Sequence, residues 1–199
     1  ADASDERARL EILFDIFDEC SEADPDSAAI LLEDAIIDAQ LLGWSEFMAD
    51  IAWGFASLKQ YDEAIEAARS IPDALSRLQA FLAIVEELPD DETDAGLAPL
   101  PLLHEAAATD LADAEARTRP RYRARLSVAL AAHGDMPRAQ EQAKLALKLA
   151  AALPVDVRGR VALELTAAGD LVVRGEEQVV GAGLAHHVEA VGLHAQQPA

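Results

Sequence analysis

The chain has 199 residues, of which 43 are alanine and only 7 are Phe or Trp. Its 16 Lys and Arg against 37 Asp and Glu leave a formal net charge of −21, which excludes a general nucleic-acid binder, because neutralising phosphates needs a basic face. A 51% apolar content, spread along the whole length, excludes a disordered acidic tail, and scarce β-branched residues among the many alanines argue against a sandwich or barrel.

The alanine periodicity predicts helices in antiparallel pairs: 5–20 with 26–42, 45–58 with 61–70, 74–88 with 99–115, 119–133 with 136–152, and 156–168 with 176–192. Residues 89–101, acidic and proline-bearing, read as an exposed loop, and 193–199 as a frayed tail. The whole is expected to be a single helical-repeat domain over 1–199.

Internal repetition supports the pairing. Residues 51–64 lie over 126–139 without a gap: an apolar-periodic helix, a short break, then a second helix with alanines at Ala64/Ala68 and Ala139/Ala143. A third copy, 161–170, matches the first helix and its Gly169-Asp170 break. First helices begin with Asp at i and Arg at i+4, as in Asp5–Arg9, Asp73–Arg77 and Asp156–Arg160. A carboxylate in the positive first turn with a guanidinium one turn later favours a helix, so these pairs read as repeat-start elements rather than catalytic pairs.

Small residues where paired helices meet, the Gly-Asp (or Lys59-Gln60) break and the alanines of the second helices together resemble the tetratricopeptide-like class of helical repeat. Ile71-Pro72-Asp73, Arg77, Phe81 and Ile84 fill a bacterial variant of it loosely. Lys59 stands where glycine is usual, repeat length varies, and 155–158 is also reminiscent of HEAT repeats. The resemblance implies an all-α, right-handed α-solenoid of about five antiparallel helix pairs. It implies a concave face of first helices that binds a protein or peptide, without enzyme activity.

Charge is unevenly placed. Residues 1–115 hold 5 Lys+Arg and 29 Asp+Glu, or −24, whereas 116–199 hold 11 and 8, or +3. Arg117, Arg119, Arg121, Arg123 and Arg125 fall in nine residues around Tyr122, and Arg158 and Arg160 follow at the matching height of the next repeat. Two readings stand. Arg121, Arg125, Arg158 and Arg160 form an anion-accepting patch for an acidic peptide, a C-terminal carboxylate or a phosphate. Alternatively, the arginines pair with acids such as Asp110, Asp113 and Glu115, or with the acidic half of the molecule. The same asymmetry allows head-to-tail self-association of acidic and basic ends, or an acidic nucleic-acid mimic built on 1–115.

Phe47, Ile51 and Phe55 recur at core spacing, while Trp53 lies off that face as a candidate exposed anchor for the partner. His186, His187, His194 and Glu189 crowd the C-terminal end, but flanking glycines weigh against a metal site; no cofactor is expected. Cys20 is the single cysteine, which fits a reducing cytosol. No apolar run approaches a membrane span, so no membrane contact and a cytoplasmic location are expected, with a leader removed before Ala1 left open. Three Lys against thirteen Arg in an acidic chain fits either a salt-in halophile or a mesophile kept soluble by charge.

Overall fold

The computed structural model describes the backbone of residues 3–89, 98–112 and 114–175, and the side chains of 5–89, 98–112 and 114–166. Among these residues all regular structure is helical: α1 (Ala3–Cys20), α2 (Pro25–Leu42), α3 (Ser45–Ser57), α4 (Tyr61–Ser70), α5 (Ala74–Glu87), α6 (Pro99–Ala108), α7 (Arg119–Ala132), α8 (Met136–Ala150) and α9 (Val155–Gly175). They fall into two compact units, Ala1–Asp113 and Ala114–Ala199. The expected second helix over 176–192, the tail 193–199 and most of the 89–101 loop lie outside the described residues.

Within the first unit each helix packs on its successor, and α3 also packs on α5. In the second unit α7 packs on α8 and α9, and α8 packs on α9. The triplets α3–α4–α5 and α7–α8–α9 therefore share one pattern, in which a first helix touches its own partner and the next first helix.

The corner between the paired helices is where the repeat is most literal. Lys59 at φ 63 and Gly134 at φ 82 both adopt the left-handed conformation. Lys59 N–H donates to the Ala56 carbonyl at 2.9 Å and Gln60 N–H to the Phe55 carbonyl at 2.9 Å. At the positions 75 residues on, Gly134 N–H donates to Ala131 at 3.1 Å and Asp135 N–H to Leu130 at 2.9 Å. Gly43, at φ 68, ends α2 with the same pair of bonds, to Gln40 at 3.2 Å and, through Trp44 N–H, to Ala39 at 3.0 Å. Each corner satisfies the last carbonyls of one helix and turns the chain into the next.

The starts of α2, α5 and α8 are capped by carboxylates. Asp24, Asp73 and Asp135 accept from the backbone N–H of Ser27, Ser76 and Arg138 respectively. At Asp73 this replaces the expected ion pair. Its carboxylate takes both the N–H and the hydroxyl of Ser76, at 2.7 and 2.8 Å, while Arg77 donates to the Ile71 carbonyl at 2.7 Å. Arg9 likewise reaches across to Asp38 at 3.1 Å and to Glu6 at 3.9 Å rather than to Asp5. Asp156 and Arg160 are both exposed and form no ion pair with each other. Of the three Asp–Arg spacings, that of Asp73 marks a helix start through capping, while Asp5 and Asp156 lie within the first turns of α1 and α9.

Two boundaries differ from expectation. α6 ends at Ala108, because Thr109 turns extended (ψ 125) and Asp110 accepts from Ala112 N–H at 2.9 Å, a local bond that competes with helix. α9 runs to Gly175, straight through the Gly169-Asp170 expected to break it. Gly169 stays within the helix, unlike Gly134, so glycine at this position only weakens a helix that continues.

Alanine carries much of the helix–helix contact. Ala64 and Ala139, the aligned alanines of the second helices, are both buried, at 0% and 3% exposure. Gly54 sits where α3 meets α1 and α2. A Cβ there would lie 3.0 Å from both terminal carbons of Leu32 and 3.3 Å from the Phe17 ring. Trp44, Phe47, Phe14, Phe17 and Trp53 form a run of successive ring contacts, with centroids 5.7 to 6.5 Å apart, that ties α1 to α3. Ile51 and Phe55 are buried as expected, and Phe47 is half-buried within that run.

Lys59 carries a Cβ in a conformation that costs an L-residue about 1–2 kcal/mol. Replacing Lys59 by Gly is therefore expected to stabilise the chain by about 1 kcal/mol, read as a higher urea midpoint at unchanged slope.

Candidate functional site

The arginine run lies in the second unit, at the start of α7. No acidic residue occupies the first turn of that helix, and Arg119 and Arg121 stand at its positive end. Each such cation is disfavoured by about 0.3–1 kcal/mol unless an anion answers it. Arg121 Nε donates to Glu164 Oε1 of α9 at 2.9 Å, with the arginine side chain 57% exposed. Of the acids named from sequence, Asp110 accepts from Ala112 N–H in its own turn, the Glu115 backbone carbonyl accepts from Thr118 and Arg119 N–H before α7, and Asp113 lies outside the described residues.

The five arginines do not form one face. Arg117 precedes α7 and is exposed. Arg123 is buried at 7% and donates to Gln142 Oε1 of α8 at 3.1 Å. Arg125 is half-buried, its guanidinium carbon 5.8 Å from the centroid of the Tyr122 ring, a cation–π distance. The Nε of Arg119 and Oε2 of Glu164 are buried without a hydrogen-bond partner among the described residues.

On α9, Arg158 and Arg160 are exposed and neither has an ion-pair partner among the described residues. Arg160 precedes Glu164 by one turn, so it stands on the side of α9 that meets Arg121; Arg158 falls on another side. Of the residues expected at a partner surface, Arg121, Arg125 and Arg160 therefore belong to the α7–α9 side, with Arg158 apart.

Trp53 belongs to the first unit and is not the exposed ring expected. It is half-buried, its indole N–H donates to Glu87 at 2.9 Å, and its ring meets Phe17 edge-on at 6.3 Å. A helix following the 51–55 apolar stripe places residue 53 off the core of its own pair, but α1 and α5 cover that side.

Sequence reasoning passed over a cleft of about 500 Å³ between α4 and α6, lined by Asp62, Ile65, Glu66, Arg69, Pro101 and Leu102 among others. Arg69 closes one side through a bidentate pair with Glu105, at 2.9 to 3.3 Å, which raises its already high pKa. The i, i+4, i+7 spacing of Asp62, Glu66 and Arg69 was the signal available in the sequence. The pairing of Arg69 with Glu105 depends on the packing of α4 against the α5–α6 hairpin.

No group of three or more His, Cys, Asp or Glu side chains able to hold a metal occurs among the described residues, and His186, His187, His194 and Glu189 lie outside them. No helix among the described residues is long and apolar enough to cross a membrane. No protein-family model, curated protein or solved structure matches this chain.

Arg123 and Gln142 occupy the positions that Met48 and Ala67, both buried, hold in the aligned repeat of the first unit. Arg123→Met alone strands the Gln142 amide and is expected to cost about 1–3 kcal/mol. The double variant Arg123→Met with Gln142→Ala is expected to recover most of that loss in a double-mutant cycle read by urea unfolding.

In the acidic unit, burial and then the charge of Glu46, one turn earlier, push the Asp50 carboxyl above its usual range. The folded chain thus holds that proton more tightly than the unfolded one, so the ionised form opposes folding at neutral pH and the opposition fades as pH falls through the folded pKa. Asp50→Asn is expected to raise stability by about 0.2–0.5 kcal/mol at pH 7, with the difference gone below about pH 4 in thermal melts.

Proposed function

We propose that this protein is a tetratricopeptide-like, right-handed α-solenoid that serves as a scaffold or adaptor, binding an acidic segment of a protein or peptide rather than catalysing a reaction. The observation that carries the reading is the cation surplus on the α7–α9 side. Arg121 and Arg160 are exposed, the first turn of α7 holds no acid, and Glu164 is the described carboxylate that pairs with Arg121. A guanidinium fork suits a carboxylate or phosphate in bidentate geometry, and an incoming acid relieves the repulsion among the arginines and the field of the helix end. The Arg121 side chain is 57% exposed and bonds Glu164 through Nε, so a partner's carboxylate approaches its remaining N–H groups.

The repeat correspondence supports the solenoid reading. The triplets α3–α4–α5 and α7–α8–α9 share both their packing pattern and their corner bonds. First helices that stack on one another leave a surface of first helices for a ligand.

The alternative is an acidic mimic of nucleic acid, favoured by the 29 carboxylates against 5 cations of residues 1–115. The two readings separate on reversal of charge. Arg121→Glu with Arg125→Glu is expected to abolish binding of a fluorescent acidic peptide, at least tenfold in Kd by anisotropy, with helicity preserved by circular dichroism. Binding of a basic peptide that is unchanged in that variant and lost on neutralising Glu11, Asp15 and Glu19 of α1 would instead favour the mimic.

A further inference from the structure

The first two helices bury the wrong residues for an isolated hairpin. α2 buries Ala28, Ala29, Leu32, Ala35 and Ala39, while its larger Ile30, Ile37 and Leu41 are 59%, 56% and 80% exposed. At 100° per residue these three fall within about 40° of one another, on the side opposite Ala35. On α1, Ile12 and Ile16, one turn apart, are also exposed, whereas Leu10 and Phe17 are buried. The Arg9–Asp38 pair fixes which sides of α1 and α2 adjoin, and Phe14 and Leu32 mark the sides that face α3. The exposed aliphatics of both helices fall on the side away from α3. Their charged neighbours are acids: Asp15 and Glu19 on α1, Asp26, Glu33 and Asp34 on α2, all exposed. Arg9 is the cation at this face, and Asp38 already pairs with it.

α9 has the complementary character. Val155, Gly159 and Leu163 recur every four residues along one side, with Val155 and Leu163 at 68% and 73% exposure. Arg158 and Arg160, exposed and without an ion-pair partner among the described residues, flank this stripe on either side; Asp156 is the acid beside it. Val161 and Leu165 point the opposite way, into the core with Ala124, Ala146 and Ala150.

We propose that a second copy of this chain seats its α9 stripe on the outward face of α1 and α2, so that copies join head to tail. An aliphatic stripe between two arginines meets aliphatics between acids, so apolar burial and charge favour the same contact. The α1–α2 face cannot pair with itself on the same terms, because acids would then oppose acids. The contact uses two different patches, so it is heterologous and repeats from copy to copy. It shares Arg160 with the acidic-partner reading, but its apolar side chains and Arg158 lie outside that site.

Sedimentation velocity of the full chain, from micromolar to millimolar concentration, tests this. Association that grows with concentration, extends beyond a dimer and weakens several-fold between about 0.05 and 0.5 M NaCl is expected. Leu41→Asp and Leu163→Asp, both at exposed positions, should each leave monomers. An equimolar mixture of the two should form a species of two chains and nothing larger, since each variant keeps one intact face. Arg158→Glu with Arg160→Glu, which leaves the apolar side chains in place, should weaken association at least tenfold. A wild-type chain that stays monomeric at millimolar concentration overturns the proposal. So does a Leu41→Asp or Leu163→Asp chain that still associates, a mixture that stays monomeric, or association untouched by the arginine reversal. Loss of acidic-peptide binding in Arg121→Glu/Arg125→Glu without loss of self-association separates this contact from the proposed function.

Discussion

A helix pair with so little aromatic or branched side chain at its contact must bring two backbones close together and then reverse the chain within three residues. The corner at Lys59 and Gly134 does this by placing one residue in the left-handed region, so that two backbone N–H groups turn back onto the last turn of the helix just ended. Register follows from it. The second helix starts at a fixed angle and height, and Ala64 or Ala139 arrives against the first helix, where a larger side chain would hold the two apart. In the second unit the Ser127 hydroxyl donates to the Ala139 carbonyl at 2.8 Å, a bond that needs the same close approach.

Close approach through alanine changes where the larger aliphatics go. A buried alanine removes little apolar area from water, so such a helix contact is stabilised by many short van der Waals contacts rather than by large transfer terms. Larger apolar side chains are buried on α5, at Leu78, Phe81 and Ile84, and others lie along the Phe14–Phe17–Trp53 ring contacts between α1 and α3. In α2 the aliphatics Ile30, Ile37 and Leu41 find no such neighbour among the described residues, which leaves an apolar face bordered by acids.

The two aligned repeats also show how one backbone geometry accepts different chemistry. Met48 and Ala67 fill in the first unit the positions that Arg123 and Gln142 fill in the second. A buried guanidinium there is tolerated because a neighbouring helix supplies an amide oxygen. It marks the arginine run as a mixed population, with Arg123 structural, Arg125 against the Tyr122 ring, Arg119 half-buried, and Arg117 and Arg121 exposed.

Helix type, most helix boundaries and the 75-residue correspondence were legible in the sequence, because alanine propensity, apolar period and capping residues act over a few residues along the chain. The reach of Asp73 to Ser76 is equally local, although its spacing to Arg77 suggested an ion pair; the nearer N–H won. What sequence alone determined, then, is the set of helices and the corners that join them. Only tertiary structure decided that Arg121 meets Glu164, 43 residues on, that Trp53 lies under α1 and α5, and that Gly169 stays helical where Gly134 turns. Each of those outcomes rests on contacts between helices distant in the chain, and the energies that select them appear only once the helices have packed.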